Sequence, residues 1–460
     1  MEAAENDNVS EPACPGCIAR DRKIAELEAR IAKLEALARA GKRQAAPFSK
    51  GPPKVNPKPP GRKPGDDYGT HQRRAVPQRI DEVHEAPVPD RCPACGGPVE
   101  ETGVARQYQA EIPRVVIHRQ FNVHVGECLC CKARVQGRHP LQTSDALGAA
   151  ASQIGPDAQA LAVLLTKDAG LSHGKVREFF KAAFDLTIAR ATPCRVVLRA
   201  AERCRDAWQA ILRRVRMSPT IVPDETGWRI GGLPAWLHVG VGIDATAYRI
   251  DRRRGYDASV RLIGAHYAGT MIHDGWKPYE HFKEARHQTC LGHLLRRCHE
   301  MLEFATGGAV IFPRQVQAVL RESLALRDRR DAGTLTAARA AAQVPRLSAA
   351  MGDLLCRRRG NAANQRLSDH LWNQRHHLFT FLLAPGIDAT NHRAEQAIRP
   401  AVVNRKVCGG NRTEAGAEAQ SILMSVLRTA KQRGVAALGF VSRTLRSLPG
   451  LRPVLVPDTG

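Results

Sequence analysis

The chain has 460 residues, with 69 Lys and Arg against 45 Asp and Glu, a formal net charge of +24 and a pI near 10.0. That length allows about two to four domains, and the charge favours a polyanionic partner, nucleic acid first and a membrane surface second. No apolar run is long enough to span a bilayer and no basic-then-apolar leader opens the sequence, so a cytoplasmic, membrane-free protein is expected. Thirteen cysteines include three C-x-x-C pairs, a grouping that points to reduced thiols and metal in place of disulfides.

In chain order, residues 1–20 read as disordered. The pair Cys14 and Cys17 has no nearby partner pair, which leaves free thiols or a metal site shared between two chains. Residues 21–40 place Ile24, Leu27, Ile31, Leu34 and Ala38 at alternating three- and four-residue steps, with Leu37 beside them. This is a short a/d seam, two heptads long, so marginal alone. A helix packed on its own chain and a self-association coiled coil both remain open. Residues 41–80 form a basic, Pro-rich linker.

Residues 81–140 carry Cys92-x2-Cys95 and Cys128-x2-Cys131. Each knuckle offers two thiolates to one tetrahedral Zn²⁺, and Gly96 suits the turn after the second sulfur. The alternating run "RVVIHRQFNVHV" between them predicts strands, which makes a small zinc-ribbon-like module, structural and DNA-contacting. Residues 150–215 read as helices, with Ser172 and Thr192 as N-caps and Pro193 at a first helical position. A helix-turn-helix-like DNA-binding segment and a plain helical bundle both fit.

From 216 to 440 the texture is α/β. "PTIVPDETGWRI", "PAWLHVGVGI" and "TAYRIDRR" are strand-like at hairpin spacing, "DASVRLIG" is a short helix, and "GTMIHDGWKPY" is a fourth strand ending near Asp274. A helical insertion follows over about 290–385. Asn391 caps a helix that Pro400 ends or kinks. A last helix carries Ile422, Leu423, Val426, Leu427 and Ala430 on one face, with Gly434 as its stop. Residues 441–460 read as a tail. Strand–strand–strand–helix–strand followed by a helix is the order of a ribonuclease-H-like core.

Asp224 and Asp274 each follow an apolar run, and Glu395 sits in a first helical turn. An acid just past a buried strand costs desolvation unless partnered, and Asp-Asp-Glu is the oxygen-donor set that hard Mg²⁺ or Mn²⁺ prefers. Two such ions suit in-line phosphoryl transfer. Alternatives stand beside this reading. Asp244 competes as first acid, Glu225 competes with its neighbour, and Glu395 alone reads as an ion pair with Arg399. His287, Cys290 and His293, with Cys298 and His299 nearby, offer a second metal possibility on one helix, beside Arg296 and Arg297 facing DNA.

"DETGW", "HDGWKPY", "CLGHLLRRC" and "NHRAEQAIRPAVVNRK" together resemble transposases of the insertion-sequence-66 family, and the order of parts agrees from about residue 20 to 440. The resemblance implies a DDE transposase with a ribonuclease-H-like fold and carries the acids to Asp224, Asp274 and Glu395. Gln396 stands where a basic residue is common, and Cys408 lies in a usually aromatic or apolar stretch. The expected function is binding of terminal inverted repeats, then Mg²⁺-dependent cleavage and strand transfer. Double-stranded DNA is the partner, with Arg393, Arg399, Arg405 and Lys406 on phosphates. A homo-oligomer, companion proteins of the same element and a place on the bacterial nucleoid follow from the same resemblance. A non-catalytic DNA-binding regulator, and a zinc protein that oligomerises and binds nucleic acid non-specifically, are the rival readings.

Overall fold

The computed structural model describes residues 14–42, 75–110, 112–113, 115–142, 144–148, 153–447 and 452–456. The chain forms two compact units, Met1–Arg114 and Val115–Gly460. In the first, helix α1 spans Pro15–Lys42, so it begins inside the segment expected to be disordered. Ile24, Leu27, Ile31 and Leu34 are exposed within the single chain. Most of the expected linker, residues 43–74, lies outside the described residues, as does the side chain of Cys17. Around Cys92 the backbone closes a tight knuckle. Cys92 N–H donates to the Gly97 carbonyl at 2.8 Å, and Gly96 N–H donates to the Cys92 carbonyl at 2.8 Å.

The second unit opens with a two-stranded antiparallel hairpin, β1 (Val125–Glu127) and β2 (Arg134–Gln136). The strands expected within residues 114–124 do not form among the described residues. Val115 and Ile117 are 78% and 65% exposed; alternation gave them an apolar face, but no second layer covers it. The turn of the hairpin repeats the first knuckle. Cys128 N–H donates to Ala133 O and Lys132 N–H to Cys128 O, both at 2.9 Å.

Four helices follow: α2 (Pro156–Lys167), α3 (His173–Phe184), α4 (Thr192–Arg203) and α5 (Arg205–Arg216). The Ser172 hydroxyl caps α3 by accepting from Lys175 N–H, as expected. Thr192 is instead the first residue of α4, whose cap is Ala191. Strands β3 (Thr220–Ile230), β4 (Leu233–Val241) and β5 (Thr246–Asp251) form an antiparallel meander. Gly231 and Gly232, both at positive φ, supply the two-residue hairpin turn between β3 and β4 that needs that conformation twice. Helix α6 (Tyr256–Ile263) then leads to β6 (Thr270–His273) and β7 (Arg286–Thr289). Both pair in parallel, giving the order β5-β4-β3-β6-β7.

The insertion comprises α7 (Leu291–Phe304), α8 (Ile311–Asp331), α9 (Ala337–Ala341), α10 (Val344–Leu355) and α11 (Ala362–Gln374). It precedes α12 (His392–Cys408), α13 (Glu414–Gln432) and α14 (Ala437–Arg446). Helix α12 runs through Pro400 without ending there. Helix α14 occupies the stretch expected to be tail and packs on α2.

Alternation along the strands divides the interior into two cores. Ile221, Ala247 and Met271 point to one side, with Ile211, Val215 and Trp208 of α5 and Ile422, Leu423 and Val426 of α13. Val222, Trp228, Leu237, Tyr248 and Ile272 point to the other, with Ala394, Ala397 and Ala401 of α12 and the insertion helices. Helices α2 to α5 therefore share a core with the sheet. Their apolar faces are spent on it.

Edge strand β5 is closed by a hydroxyl ladder. Thr246, Tyr248 and Ile250 donate their backbone N–H groups to Thr429 Oγ1, Ser425 Oγ and Ser421 Oγ at 3.0, 2.8 and 3.0 Å. The acceptors recur every four residues, one per helical turn of α13, to match every second residue of the strand. Ser425 is fully buried. Ser425→Ala leaves the Tyr248 N–H without an acceptor and is expected to cost about 1–3 kcal/mol, read as a lower urea midpoint. Thr429→Val, which keeps the shape but removes the hydroxyl from Thr246 N–H, should act alike.

Candidate active site

The parallel register pairs Thr220 with Thr270 and Ile221 with Met271, an offset of 50 (270 − 220). By the same offset Asp224 and Asp274 occupy corresponding positions, each three residues past the last paired residues (224 − 221 and 274 − 271). Asp224 lies on β3 opposite Val239 of β4, on the face that meets α12. Asp274 is the first residue past β6. Gly275 turns the chain there with φ of 88°, and a Cβ on it would stand 3.2 Å from His370 Cε1. Only glycine meets both conditions. Trp276 N–H donates to Asp274 Oδ1 at 2.9 Å, which fixes that carboxylate on its own turn.

Glu395 occupies the first turn of α12. The expected cap, Asn391, is in place, but its side chain makes no capping bond. Small residues let the helix lie close on β3 and β4, since Ala394, Ala397 and Ala401 are fully buried. Tyr248 O–H donates to the Ala397 carbonyl at 2.7 Å. Glu395 Oε1 stands 3.5 Å from His293 Nε2 and 3.9 Å from Arg296 Nη2, both on α7.

The electrostatics tie the acids together. Burial pushes the Asp224 carboxyl up to about 7, and the charges of Glu225, Asp274 and Glu395 push the same way, while the Glu225 N–H opposes them. Asp224 thus feels every other acid of the cluster. Among the described residues no three His, Cys, Asp or Glu side chains are already gathered closely enough to hold an ion. The triad is a crowd of negative charge, not a closed shell. Carboxylates are the hard oxygen donors that divalent cations prefer, and a bound cation relieves such crowding.

The competitors are employed elsewhere. Asp244 Oδ1 accepts from Arg214 Nε at 3.0 Å and its Oδ2 from Arg433 Nη1 at 2.6 Å, in the β4–β5 turn. Glu225 points to the opposite face from Asp224. Its Oε1 accepts from Arg254 Nη2 at 2.9 Å and its Oε2 from the Tyr279 O–H at 2.8 Å. His287 is not on a helix with Cys290. It lies on β7, and its nitrogens meet His273 Nε2 at 3.0 Å and Phe282 O at 3.1 Å, so the second metal grouping is drawn apart. The Gly275 N–H donates to His273 Nδ1, which leaves His273 Nε2 as the donor to His287. Burial lowers the pKa of both imidazoles.

The expected phosphate cations divide. Arg393 Nη2 donates to the Gly242 carbonyl at 2.5 Å. Arg405 Nη1 donates to the Gly227 carbonyl and to Thr226 Oγ1. Arg399 and Lys406 are exposed on α12. Sequence reasoning gave no role to Tyr279 and Arg254, and gave His293 only a place in the second metal grouping. The available signal was strand alternation, because an acid beside Asp224 faces the other way and needs donors of its own.

The two cysteine knuckles share their hydrogen-bond pattern. Backbone N–H groups of Ala94 and Cys95 lower the pKa of Cys92, and those of Cys131 and Cys130 lower that of Cys128. Each turn therefore favours thiolate, the form that binds metal.

A mixed α/β core, with an acid on one strand, a second just past its parallel neighbour and a third on a crossing helix, is compatible with the core of a DDE transposase. The model of the family described as Transposase IS66 family matches residues 151–419, more than half of the chain. The chain belongs to that family. A curated relative, the uncharacterized protein y4qI of Sinorhizobium fredii, is 24% identical over 269 residues, covering 51% of this chain and 49% of that protein. The chain thus spans about half the length of the curated relative it matches. Among the described residues, no helix is long and apolar enough to cross a membrane.

A carboxyl with a raised pKa contributes stability below its unfolded value and loses it as pH rises through the folded value. In chelator, Asp224 should therefore lower the melting temperature as pH rises from about 4 to about 7, most steeply midway between those values and levelling off above 7. Asp224→Asn should flatten that part of the wild-type pH profile.

Proposed function

We propose that this chain is a DNA transposase of the DDE type, on a ribonuclease-H-like core, that binds the terminal inverted repeats of a mobile element and carries out cleavage and strand transfer. The observation that supports it best is the corresponding placement of Asp224 and Asp274 along parallel strands, with Glu395 close enough to raise the Asp224 pKa. Asp224 and Asp274 would hold divalent ions, Mg²⁺ or Mn²⁺, with Glu395 completing one site. Bound there, such ions activate a water or a 3′-hydroxyl and stabilise the leaving oxygen in in-line phosphoryl transfer.

The protein's own groups do the rest. The Trp276 N–H holds Asp274 at a fixed angle. His293 and Arg296 restrain Glu395. Arg399 and Lys406 hold phosphates along α12, and Arg393 and Arg405 add charge from positions anchored on backbone carbonyls. A homo-oligomer suits a reaction that joins two DNA ends, and companion proteins of the element remain part of the proposal.

Purified protein with end-containing DNA and Mg²⁺ should give nicked and strand-transferred products. Asp224→Asn, Asp274→Asn and Glu395→Gln should each lose these by more than the roughly 10–100-fold that an outer-shell change costs, with DNA binding retained. Full activity in any one removes that residue from the site. Lys406→Ala should weaken binding to all sequences alike and lower the salt slope by about 1.

Cys92, Cys95, Cys128 and Cys131 are proposed as structural zinc ligands on the chemistry of their thiols, four sulfurs being the number such a site takes. About one zinc per chain by elemental analysis, lost in Cys92→Ser and in Cys128→Ser, is the expected result.

A further inference from the structure

The β3–β6 ladder ends at Ile221 and Met271, three residues before Asp224 and Asp274 (224 − 221 and 274 − 271). Beyond that point no ladder bond holds the two acid-bearing segments together, and their like charges push them apart. Something else must set their separation.

On the sheet face opposite α12, Glu225 is buried, its side chain 3% exposed. Both of its oxygens are taken. Arg254, in the turn between β5 and α6, donates to Oε1 through Nη2 at 2.9 Å and Nε at 3.2 Å. Tyr279, five residues past Asp274 in the 3-10 turn Lys277–His281, donates to Oε2 at 2.8 Å. The Arg254 guanidinium also lies between two indoles, 4.6 Å from the Trp236 ring and 4.7 Å from the Trp276 ring. Trp236 shares this face because it pairs across from Gly227, as His238 does from Glu225. Trp276 is the residue whose N–H holds Asp274, and its ring meets Tyr279 edge-on at 5.2 Å between centroids.

We propose that Glu225, Tyr279 and Arg254 form a positioning clamp that sets the spacing of Asp224 and Asp274 from behind the sheet. The clamp rests on the active-site reading above. One strand carries Asp224 toward the cation and Glu225 away from it, so a hold on Glu225 is a hold on Asp224. One turn carries Asp274, Trp276 and Tyr279, so a hold on the latter two is a hold on Asp274. Arg254 and Tyr279 join strand to turn through the same carboxylate. None of the three touches the ion or DNA. Their effect is on how well the pair of acids is pre-set to bind it, as outer partners of metal ligands act elsewhere.

The test is a Mn²⁺ titration of the full chain, read both as a shift in melting temperature and as cleavage of end-containing DNA. Wild type, Tyr279→Phe, Arg254→Lys, Glu225→Gln and Asp274→Asn are compared. DNA affinity in chelator and circular dichroism confirm the fold of each. Tyr279→Phe should raise the half-saturating Mn²⁺ about tenfold in both readouts, with DNA affinity unchanged and cleavage restored at excess Mn²⁺. Arg254→Lys, which keeps the charge but loses the fork and the stacking, should shift the same way. Titrations of both variants that match wild type overturn the clamp. So does Glu225→Gln losing cleavage at every Mn²⁺ concentration while Tyr279→Phe behaves as wild type, because Glu225 would then be a ligand. If Asp274→Asn titrates as wild type does, the active-site reading itself fails and the clamp falls with it.

Discussion

Like-charge crowding between Asp224, within β3, and Asp274, just past β6, is the constraint around which this fold is arranged. Asp224 is partly withdrawn from water, which raises its pKa first, and the charges of Glu225, Asp274 and Glu395 raise it further. A parallel strand pair brings two acids to corresponding positions at little cost in chain, because the register does the aligning. It also leaves them beyond the last ladder bond. Gly275, the Trp276 N–H and the Glu225 contacts all act within six residues of one acid or the other. They hold in place what electrostatics would separate.

The helices on both faces supply the stiffness that this arrangement needs. On one side α12 is brought close by alanines and held by Tyr248 and Arg405, so Glu395 is set relative to β3 through backbone contacts. On the other, α5 and α13 close the core beneath the same strands, and the hydroxyls of α13 satisfy the free edge of β5. Helices α2, α4 and α14 are packed into that layer. The helices ahead of the sheet thereby support it, and the match of the family model begins at residue 151, just ahead of α2.

The sheet's first four strands, α6 and α13 are legible because their apolar residues alternate or recur at the helical period, and turns such as Gly231-Gly232 punctuate them. Strand β7 is not. Its Arg286–Thr289 sequence is polar, and it is buried through side-chain bonds that no periodicity reveals: Gln288 to the Leu378 carbonyl and Thr289 to Gln374. That strand made Cys290 a helix cap in place of a helix-face ligand. The opposite error occurred at 114–124, where alternation was present but no partner layer was. The three acids stood out as strand-end and first-turn carboxylates, yet Asp244 had equal standing on sequence. Only its bonds to Arg214 and Arg433, 30 and 189 residues away in sequence, separate a structural acid from a member of the site.

The same distinction governs the basic residues. A count of cations on α12 suggests four equivalent phosphate contacts, but position divides them. Arg405 is tied to Gly227, three residues from Asp224 on the same strand (227 − 224), so its first effect is to fix the helix that carries Glu395. Arg393 is tied to the β4–β5 turn through Gly242. A guanidinium has five donors in a planar fork, and an anchored one presents the remainder in a set direction at small further entropy cost. On these grounds the net charge of +24 speaks to attraction for a polyanion at long range. The anchored arginines speak to position, fixing α12 and with it Glu395 against β3 and the β4–β5 turn.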